Sequence, residues 1–342
     1  MTSLFSAFTL KGLSLKNRVV MSPMVTIRAD EKSGEVNTWH HVHYLSRIVG
    51  GVGLVMLEST AIASNGMTDP RDLGLYNDIQ EEKLSKLVQE AHALGGKIAI
   101  QLNHSGRKAP ADDYLVAPSA IPFYEGNTPP KELTYDEIQE MIKHFKDSTE
   151  RAVRAGFDAI ELHAAHGYLV EQFLSPLSNH RSDEYGGNFE KRLRFATDVI
   201  HAMKSVMPED MPLFMRVSAT EYDRNGYGIE DMVQMCKVFK EHGVDIIDVS
   251  SGGAVPTFQQ EIYPGYQLPF SNEIKQNAFI PTIAVGKLEE PHLAENVIQT
   301  NQADLIAIAR GLLRNPYWAI DAALKLGATP PIDQSYTSAY PQ

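Results

Sequence analysis

A chain of 342 residues could hold two average domains, but α/β barrels also reach this length, so length alone does not decide the domain count. Hydrophobic residues make up 43% and charged residues 22%, which excludes a disordered or collagen-like chain. The single cysteine, Cys236, excludes an intramolecular disulfide and a cysteine-rich metal module. A net charge of -12 disfavours nucleic acid as a partner, and the lack of a long apolar run disfavours membrane insertion. We expect a cytoplasmic protein that acts on small molecules.

Short apolar segments recur along the chain, each following a helix-like segment that ends at a small residue. Four of them share this pattern closely, at 51–57, 156–162, 243–249 and 302–308, and four more lie at 18–21, 97–102, 213–217 and 282–285. Helical periodicity separates them, notably at 80–94, 135–155, 189–206, 229–242 and 316–326. Apolar strands that alternate with helices indicate parallel strands buried on both faces.

Eight such units predict an α/β fold of the (β/α)8 TIM barrel type. A doubly wound sheet is the main alternative, but no G-x-G-x-x-G opens a helix after any strand. We expect one domain over residues 1–342, with an N-terminal hairpin over 8–15, a long capping loop over 103–132 and a polar C-terminal tail over 333–342.

The carboxyl ends of barrel strands carry the chemistry of this fold. Because side chains alternate along a strand, four strands are predicted to aim polar groups at one rim: Gln101, His163, Arg216 and Arg310. Any one of them could be satisfied locally, but two arginines near a barrel mouth are costly to desolvate without an anionic or polar partner.

A phosphate site is predicted near the last strands. Gly286 and Arg310 follow the seventh and eighth strands, and Gly253 lies in a stretch of small residues after the sixth. Glycine lets backbone N–H groups approach an anion, and arginine can bind one with two hydrogen bonds. The alternative is that these glycines only make tight turns.

The segment from His163 to Leu169 begins where the fourth strand should end. His163 and His166 can donate hydrogen bonds to one substrate oxygen, and the phenol of Tyr168 offers an acidic proton nearby. Metal binding and purely structural histidines are the alternatives. No carboxylate completes a familiar metal triad in this segment, and we predict no metal.

Three groups of motifs together resemble the Old Yellow Enzyme family of FMN-dependent ene-reductases, in particular its shorter bacterial branch. They lie at 16–24, at 101–108 and in the long run 163–187, which includes the sequences LSPLSNHR and DEYGG. The resemblance spans nearly the whole chain and implies a (β/α)8 barrel with FMN across its mouth, reduced by NADPH or NADH.

The resemblance assigns roles to individual positions. The residues implied to border or bind FMN are Ser22, Pro23, Met24, Val25, Ser59, Gln101 and Arg216, with Gly253, Gly286 and Arg310 at the phosphate. His163 and His166 are implied to bind the substrate carbonyl, and Tyr168 to protonate Cα after hydride reaches Cβ. The implied substrates are alkenes conjugated to a carbonyl or nitro group. A homodimer or homotetramer is also consistent with the family.

Two positions depart from the family pattern. Val25 stands where the bacterial branch usually has cysteine, and Ile27 stands where an aromatic residue is common and would line the substrate site. A local shift could instead bring the Thr26 hydroxyl to the flavin, although we expect Val25 to face it. These departures leave two other hypotheses open: an FMN enzyme with another electron acceptor, through dehydrogenation, nitro-ester or oxygen reduction, or a flavin-binding regulatory protein.

Overall fold

The computed structural model describes residues 2–110 and 114–340. The ends of the predicted domain and of the predicted tail, and residues 111–113 of the capping loop, lie outside these ranges. Thirteen strands are described: β1 Phe8–Leu10, β2 Leu13–Leu15, β3 Val19–Met21, β4 Leu54–Ala61, β5 Leu73–Gly74, β6 Ile98–Asn103, β7 Val116–Ala117, β8 Lys131–Glu132, β9 Ala159–Ala164, β10 Leu213–Ser218, β11 Ile246–Ser250, β12 Thr282–Ala284 and β13 Leu305–Ile308.

Eight parallel strands close into a barrel, as the sequence predicted. Their order around it is β3, β4, β6, β9, β10, β11, β12 and β13, and β13 pairs with β3 to complete the ring. All eight are buried along their whole length. Burial on both faces explains why the strands are almost continuously apolar rather than alternating.

Among the described residues, ten helices follow or flank the strands: α1 Thr38–Val49, α2 Asp78–Ala93, α3 Tyr135–Ala155, α4 Leu169–Leu174, α5 Phe189–Lys204, α6 Ile229–Glu241, α7 Leu268–Ala278, α8 Pro291–Gln299, α9 Arg310–Arg314 and α10 Trp318–Lys325. Side-chain caps fix several of their starts; Thr134 and Glu137, for example, form a capping box at the start of α3. None of the helices in the described ranges is long and apolar enough to cross a bilayer.

The predicted N-terminal hairpin is present and closes one end of the barrel. Strands β1 and β2 pair antiparallel, and Leu13 and Leu15 are buried in one cluster with interior residues such as Leu54, Phe214 and Ile246. A larger cluster lies between the strands and the surrounding helices. With the amino ends of the strands covered, the opposite rim is left for chemistry.

The long loop over 103–132 contains more structure than its composition indicated. A 3-10 turn covers Gly106–Lys108, and the short strands β7 and β8 pair with each other in parallel. Helix α7 begins at Leu268, inside a stretch that lacks a strong helical pattern at its start. A proline in its first turn fits that position, because an N-terminal N–H has no partner within the helix.

Candidate active site

The barrel mouth contains a cavity of about 220 Å³ at the ends of the first, seventh and eighth barrel strands. Seven of the predicted site residues line it: Ser22, Pro23, Met24, His166, Arg216, Gly286 and Arg310. Ser250, Tyr266, Gln267 and Lys287 complete much of the remaining wall. Residues nearly 300 positions apart in sequence therefore share one cavity, because their strands end at the same rim.

Two arginines contribute positive charge to this cavity, and they differ in burial. Arg216 projects from β10 and is buried, with its Nε 3.3 Å from Asp248 Oδ2 and its Nη1 3.5 Å from the Pro23 carbonyl oxygen. Arg310 begins α9 and is exposed at the cavity rim. One buried and one accessible guanidinium in the same cavity can each bind a different negative group, which suits an elongated anionic ligand.

Gln101 and Ser59 lie on neighbouring strands of the same mouth. In the β4–β6 pairing, Ser59 is opposite Gln101, directly after an irregularity that changes which side chains point inward. Gln101 Nε2 donates to Glu161 Oε1 at 2.8 Å, and Asn103 Nδ2 donates to Ser59 Oγ at 2.9 Å. The first bond fixes the amide of Gln101, so its carbonyl oxygen is turned away from Glu161.

His163, His166 and Tyr168 form one compact group. The rings of His163 and His166 are 5.1 Å apart and nearly perpendicular, and the ring of Tyr168 is 5.0 Å from His163, also perpendicular. His166 has φ of +61°, a conformation that is uncommon for histidine. It is held there because its N–H donates to Ser218 Oγ at 2.9 Å, its carbonyl accepts from Lys108 Nζ, and its Nε2 contacts Ser250 Oγ at 2.7 Å.

Both imidazoles are neutral in this environment. Burial lowers the pKa of His163 and of His166 well below the ordinary value. For His163 the neighbouring His166 is the next cause, and the positive charges of Arg216 and Lys108 lower the pKa of both rings further. The N–H of Ala165 donates to His163 Nδ1 at 3.2 Å. Because Nδ1 accepts, the proton of neutral His163 belongs on Nε2, which makes that nitrogen a hydrogen-bond donor.

Tyr168 is a phenol that resists ionisation. Burial, helped by the negative charge of Asp72, raises its pKa to about 12, while the nearby Thr68 side chain lowers it slightly. Lys108 Nζ lies 5.1 Å from the centre of the ring. The hydroxyl therefore keeps its proton at neutral pH, next to a cation that can stabilise negative charge if the proton is given up.

The hydrogen bonds of Thr26 bear on the alternative in which its hydroxyl reaches the flavin. The Thr26 hydroxyl and N–H both donate to the carboxylate of Glu58, each at 2.7 Å. Thr26 is therefore held on Glu58, and the shift considered for its hydroxyl does not occur. Val25 and Ile27 are each 37% exposed, and Ile27 adopts φ of +55°, which is rare for a β-branched residue.

Gly253 occupies a different place from the other predicted phosphate ligands. It is not among the residues that line the cavity, and a Cβ built on it would lie 2.6 Å from the Cα of His166. Its carbonyl accepts from Lys108 Nζ at 3.2 Å. Close packing against the histidine segment explains the need for glycine here, while its phosphate role stays a prediction.

Several residues of the site were not selected from the sequence. Lys108, Ser250, Glu161 and Asp248 all contact predicted site residues. The signal for Glu161 and Asp248 was present, because each is a carboxylate within an otherwise apolar strand, on the face that points into the barrel. The described residues include no group of three or more potential metal ligands.

Comparison with known proteins agrees with this architecture. The model of the "NADH:flavin oxidoreductase / NADH oxidase family" matches residues 3–327. An NADPH dehydrogenase of Geobacillus sp. (strain WCH70) is 48% identical over 328 residues, 96% of each chain. Among solved structures, the old yellow enzyme homologue from Zymomonas mobilis has a TM-score of 0.81 and 25% identity over 99% of each chain. Morphinone reductase in complex with tetrahydroNAD has a TM-score of 0.78 and 28% identity, over 97% of this chain and 93% of that one.

Proposed function

The chain belongs to the NADH:flavin oxidoreductase / NADH oxidase family and is an FMN-dependent NADPH oxidoreductase of the Old Yellow Enzyme type, and on this premise we propose that it reduces activated C=C bonds. The substrates would be alkenes conjugated to a carbonyl or nitro group. The observation that carries the proposal is the group of two neutral imidazoles and one protonated phenol beside a cavity that contains two arginines.

The residues of the mouth suit FMN. Arg216 Nε is buried and forms no hydrogen bond within the described residues, since its 3.3 Å approach to Asp248 Oδ2 is an ion-pair contact only, and Gly286 is a cavity-lining glycine at φ of +130° that leaves backbone accessible. Ser22, Pro23, Met24, Ser59 and Gln101 would border the ring, with Val25 beside it. Arg216 would lie at the edge of the ring where negative charge accumulates, and Arg310 with Gly286 would bind the phosphate.

When bound, FMN supplies two-electron chemistry, accepting hydride from the nicotinamide and passing hydride to Cβ of the alkene. His163 would donate from Nε2 to the carbonyl oxygen of the substrate. If the Ser250 hydroxyl donates to His166 Nε2, then His166 carries its proton on Nδ1 and becomes the second donor. Two neutral donors polarise the alkene and stabilise the developing enolate without giving up a proton themselves.

Tyr168 would complete the reaction by transferring its phenolic proton to Cα. Its pKa of about 12 keeps the proton in place at neutral pH, and the enolate-like carbon formed by hydride addition is basic enough to take it. Lys108, close to the face of the ring, would stabilise the phenolate until solvent returns a proton. Val25 and Ile27 would give the substrate region an apolar wall in place of a thiol and an aromatic ring.

Separate half-reactions test this proposal directly. FMN-loaded protein is reduced anaerobically with NADPH and then mixed with 2-cyclohexenone, N-methylmaleimide, a nitro compound or oxygen in parallel experiments. We expect rapid reoxidation by the enone and the maleimide, with the saturated product recovered in stoichiometric amount. Reduced flavin that reacts with oxygen but with neither alkene would overturn the proposal and favour another electron acceptor.

A further inference from the structure

Two carboxylates lie inside the barrel, deeper than the residues that face the mouth. Glu161 precedes His163 by two residues on β9, and Asp248 precedes Ser250 by two on β11. Strand β10 runs between them and carries Arg216, which pairs in register with Asp248. Both acids are essentially inaccessible to solvent, at 0% and 1% exposure. Such groups are rarely buried unless they are paired.

Each carboxylate has one oxygen engaged and one without a partner. Glu161 Oε1 accepts from Gln101, and Asp248 Oδ2 lies 3.3 Å from Arg216 Nε. The remaining oxygens, Glu161 Oε2 and Asp248 Oδ1, are buried and have no hydrogen-bond partner in the described part of the chain. The free energy needed to bury two unsatisfied charged acceptors in a barrel interior is larger than the stabilisation from either existing contact.

The surroundings leave the pair short of positive charge. The register neighbours of Glu161 are Gln101 and Phe214, and Asp248 is flanked by Arg216 and Ile283. His163, the next titratable group toward the mouth, is neutral. Two ionised acids against one guanidinium would therefore leave a net charge of about −1. Burial and the charge of Asp248 accordingly raise the pKa of Glu161 to about 8, and burial raises the pKa of Asp248.

We propose that the buried acids Glu161 and Asp248 together hold one proton, carried by Glu161, and that this proton is a charge reserve coupled to reduction of the cofactor above them. A proton on Glu161 Oε2 removes the charge from that unpartnered oxygen and makes the group of Glu161, Asp248 and Arg216 neutral. Both acids are thus positioning residues: Glu161 orients the amide of Gln101, and Asp248 orients the guanidinium of Arg216. This inference rests on the placement of FMN proposed above.

Coupling follows from electrostatics. Reduction delivers two electrons to the cofactor and adds negative charge next to Arg216, so the guanidinium compensates the acids less and their affinity for a proton rises. Below about pH 8 the pair already holds its proton before reduction. Above that pH the pair has lost it, and reduction draws one proton from solvent onto Glu161 Oε2. Apart from the proton that reaches the cofactor itself, this O–H bond is the only one formed.

Infrared spectroscopy tests the proton on Glu161 independently of the cofactor's position. In FMN-loaded protein at pH 7, ¹³C-carboxyl labelling of glutamate should reveal a C=O stretch of a protonated carboxyl that is absent from Glu161→Gln. Asp248→Asn should lower the pH at which this band disappears, because the charge that raises the pKa of Glu161 is gone. A Glu161→Gln spectrum identical to wild type would refute a protonated Glu161.

The second measurement is the midpoint potential of the bound flavin between pH 6 and 10. One proton per two electrons gives about 30 mV per pH unit and two protons about 60 mV, since a tenfold change for a two-electron couple is about 30 mV. In wild type we expect the slope of midpoint potential against pH to steepen above about pH 8. In Glu161→Gln we expect the slope to stay near about 30 mV per pH unit, the value for one proton. Asp248→Asn should move the change to lower pH and provides the same test if Glu161→Gln does not bind FMN.

Glu171 offers a matched control. It is also fully buried with a pKa raised to about 8, but it lies on α4 and bonds Tyr227 and the Gly167 N–H instead of facing the barrel interior. Glu171→Gln should keep the change of slope. The coupling would be overturned by the reverse result, in which the slope of midpoint potential against pH still steepens in Glu161→Gln and no longer steepens in Glu171→Gln. These results are separate from alkene reduction, because a protein that fails to reduce enones can still show both the infrared band and the change of slope.

Discussion

Replacing Tyr168 with phenylalanine separates the two half-reactions most cleanly. The variant loses only the hydroxyl, since the ring contact with His163 at 5.0 Å and the position beside Lys108 at 5.1 Å need only the ring. Nicotinamide oxidation uses no proton from Tyr168, so flavin reduction should proceed at the wild-type rate. Alkene reoxidation should slow by about 10²- to 10⁴-fold, the usual contribution of a positioned general acid.

The pKa of Tyr168 sets the pH dependence of the same step. With a pKa of about 12, only about one molecule in 10⁵ carries a phenolate at pH 7, so ionisation of Tyr168 should not affect alkene reoxidation below about pH 10. Burial lowers the pKa of Lys108 to about 8, so reoxidation should slow above that pH as Lys108 loses its charge. Anaerobic stopped-flow absorbance of the flavin measures both half-reactions in each protein. The assigned role is refuted if both half-reactions slow equally, or if reoxidation by the alkene is unaffected.

Three further substitutions probe the site and its supports. Gly253→Ala should lower the free energy of unfolding by about 2–5 kcal/mol in urea titrations. The loss has two causes, a left-handed φ of +95° and a Cβ that would lie 2.6 Å from the Cα of His166. An unchanged unfolding midpoint would contradict this packing. Thr26→Val should lower the free energy of unfolding by about 1–3 kcal/mol at pH 8 and by less at pH 5.5. This pH dependence follows from Glu58, because burial raises the pKa of its carboxyl to about 7. The Thr26 hydroxyl stabilises the ionised form of Glu58, so the stability lost in Thr26→Val grows as the pH rises through 7. Arg310→Ala should weaken FMN binding by about 10- to 150-fold in fluorescence titrations while leaving riboflavin binding unchanged, and equal losses for both ligands would remove Arg310 from the phosphate.

The barrel itself was predictable from the sequence because its signal is repeated eight times. Each strand had to be apolar on both faces, and each helix had to present one apolar stripe, so local pattern and global fold agreed. The predicted helix at 135–155 coincides with α3, where a capping box at Thr134 and a left-handed Gly156 define both ends. Helix α7 was harder to predict, because its first turn is formed by Leu268 and a proline and has no side-chain cap.

The site was only partly predictable, for a physical reason. Alternation along the strands predicted that Arg216 and the segment at His163 lie at one rim, and the structure places them there. This much was predictable because the position of a residue near a strand end fixes the direction of its side chain and its height in the barrel. Alternation says nothing about which polar group will pair with which, so the bond from Thr26 to Glu58 and the packing of Gly253 required three-dimensional distances. The irregularity at Ser59 is a further case, because one unpaired residue reverses the parity along β4, and Ser59 was implied by the family resemblance and not by alternation.

The hairpin that covers the amino ends of the strands leaves the carboxyl rim as the open end of the barrel in the part of the chain that the structure describes. With Leu13 and Leu15 packed into the amino end, we expect electron donor and electron acceptor to enter and leave at this rim. If donor and acceptor also bind at the same place over the cofactor, we expect a double-displacement scheme in which the oxidised donor departs before the acceptor arrives. In the reaction proposed above, high concentrations of alkene should then slow the overall rate by occupying the form of the protein that awaits the nicotinamide.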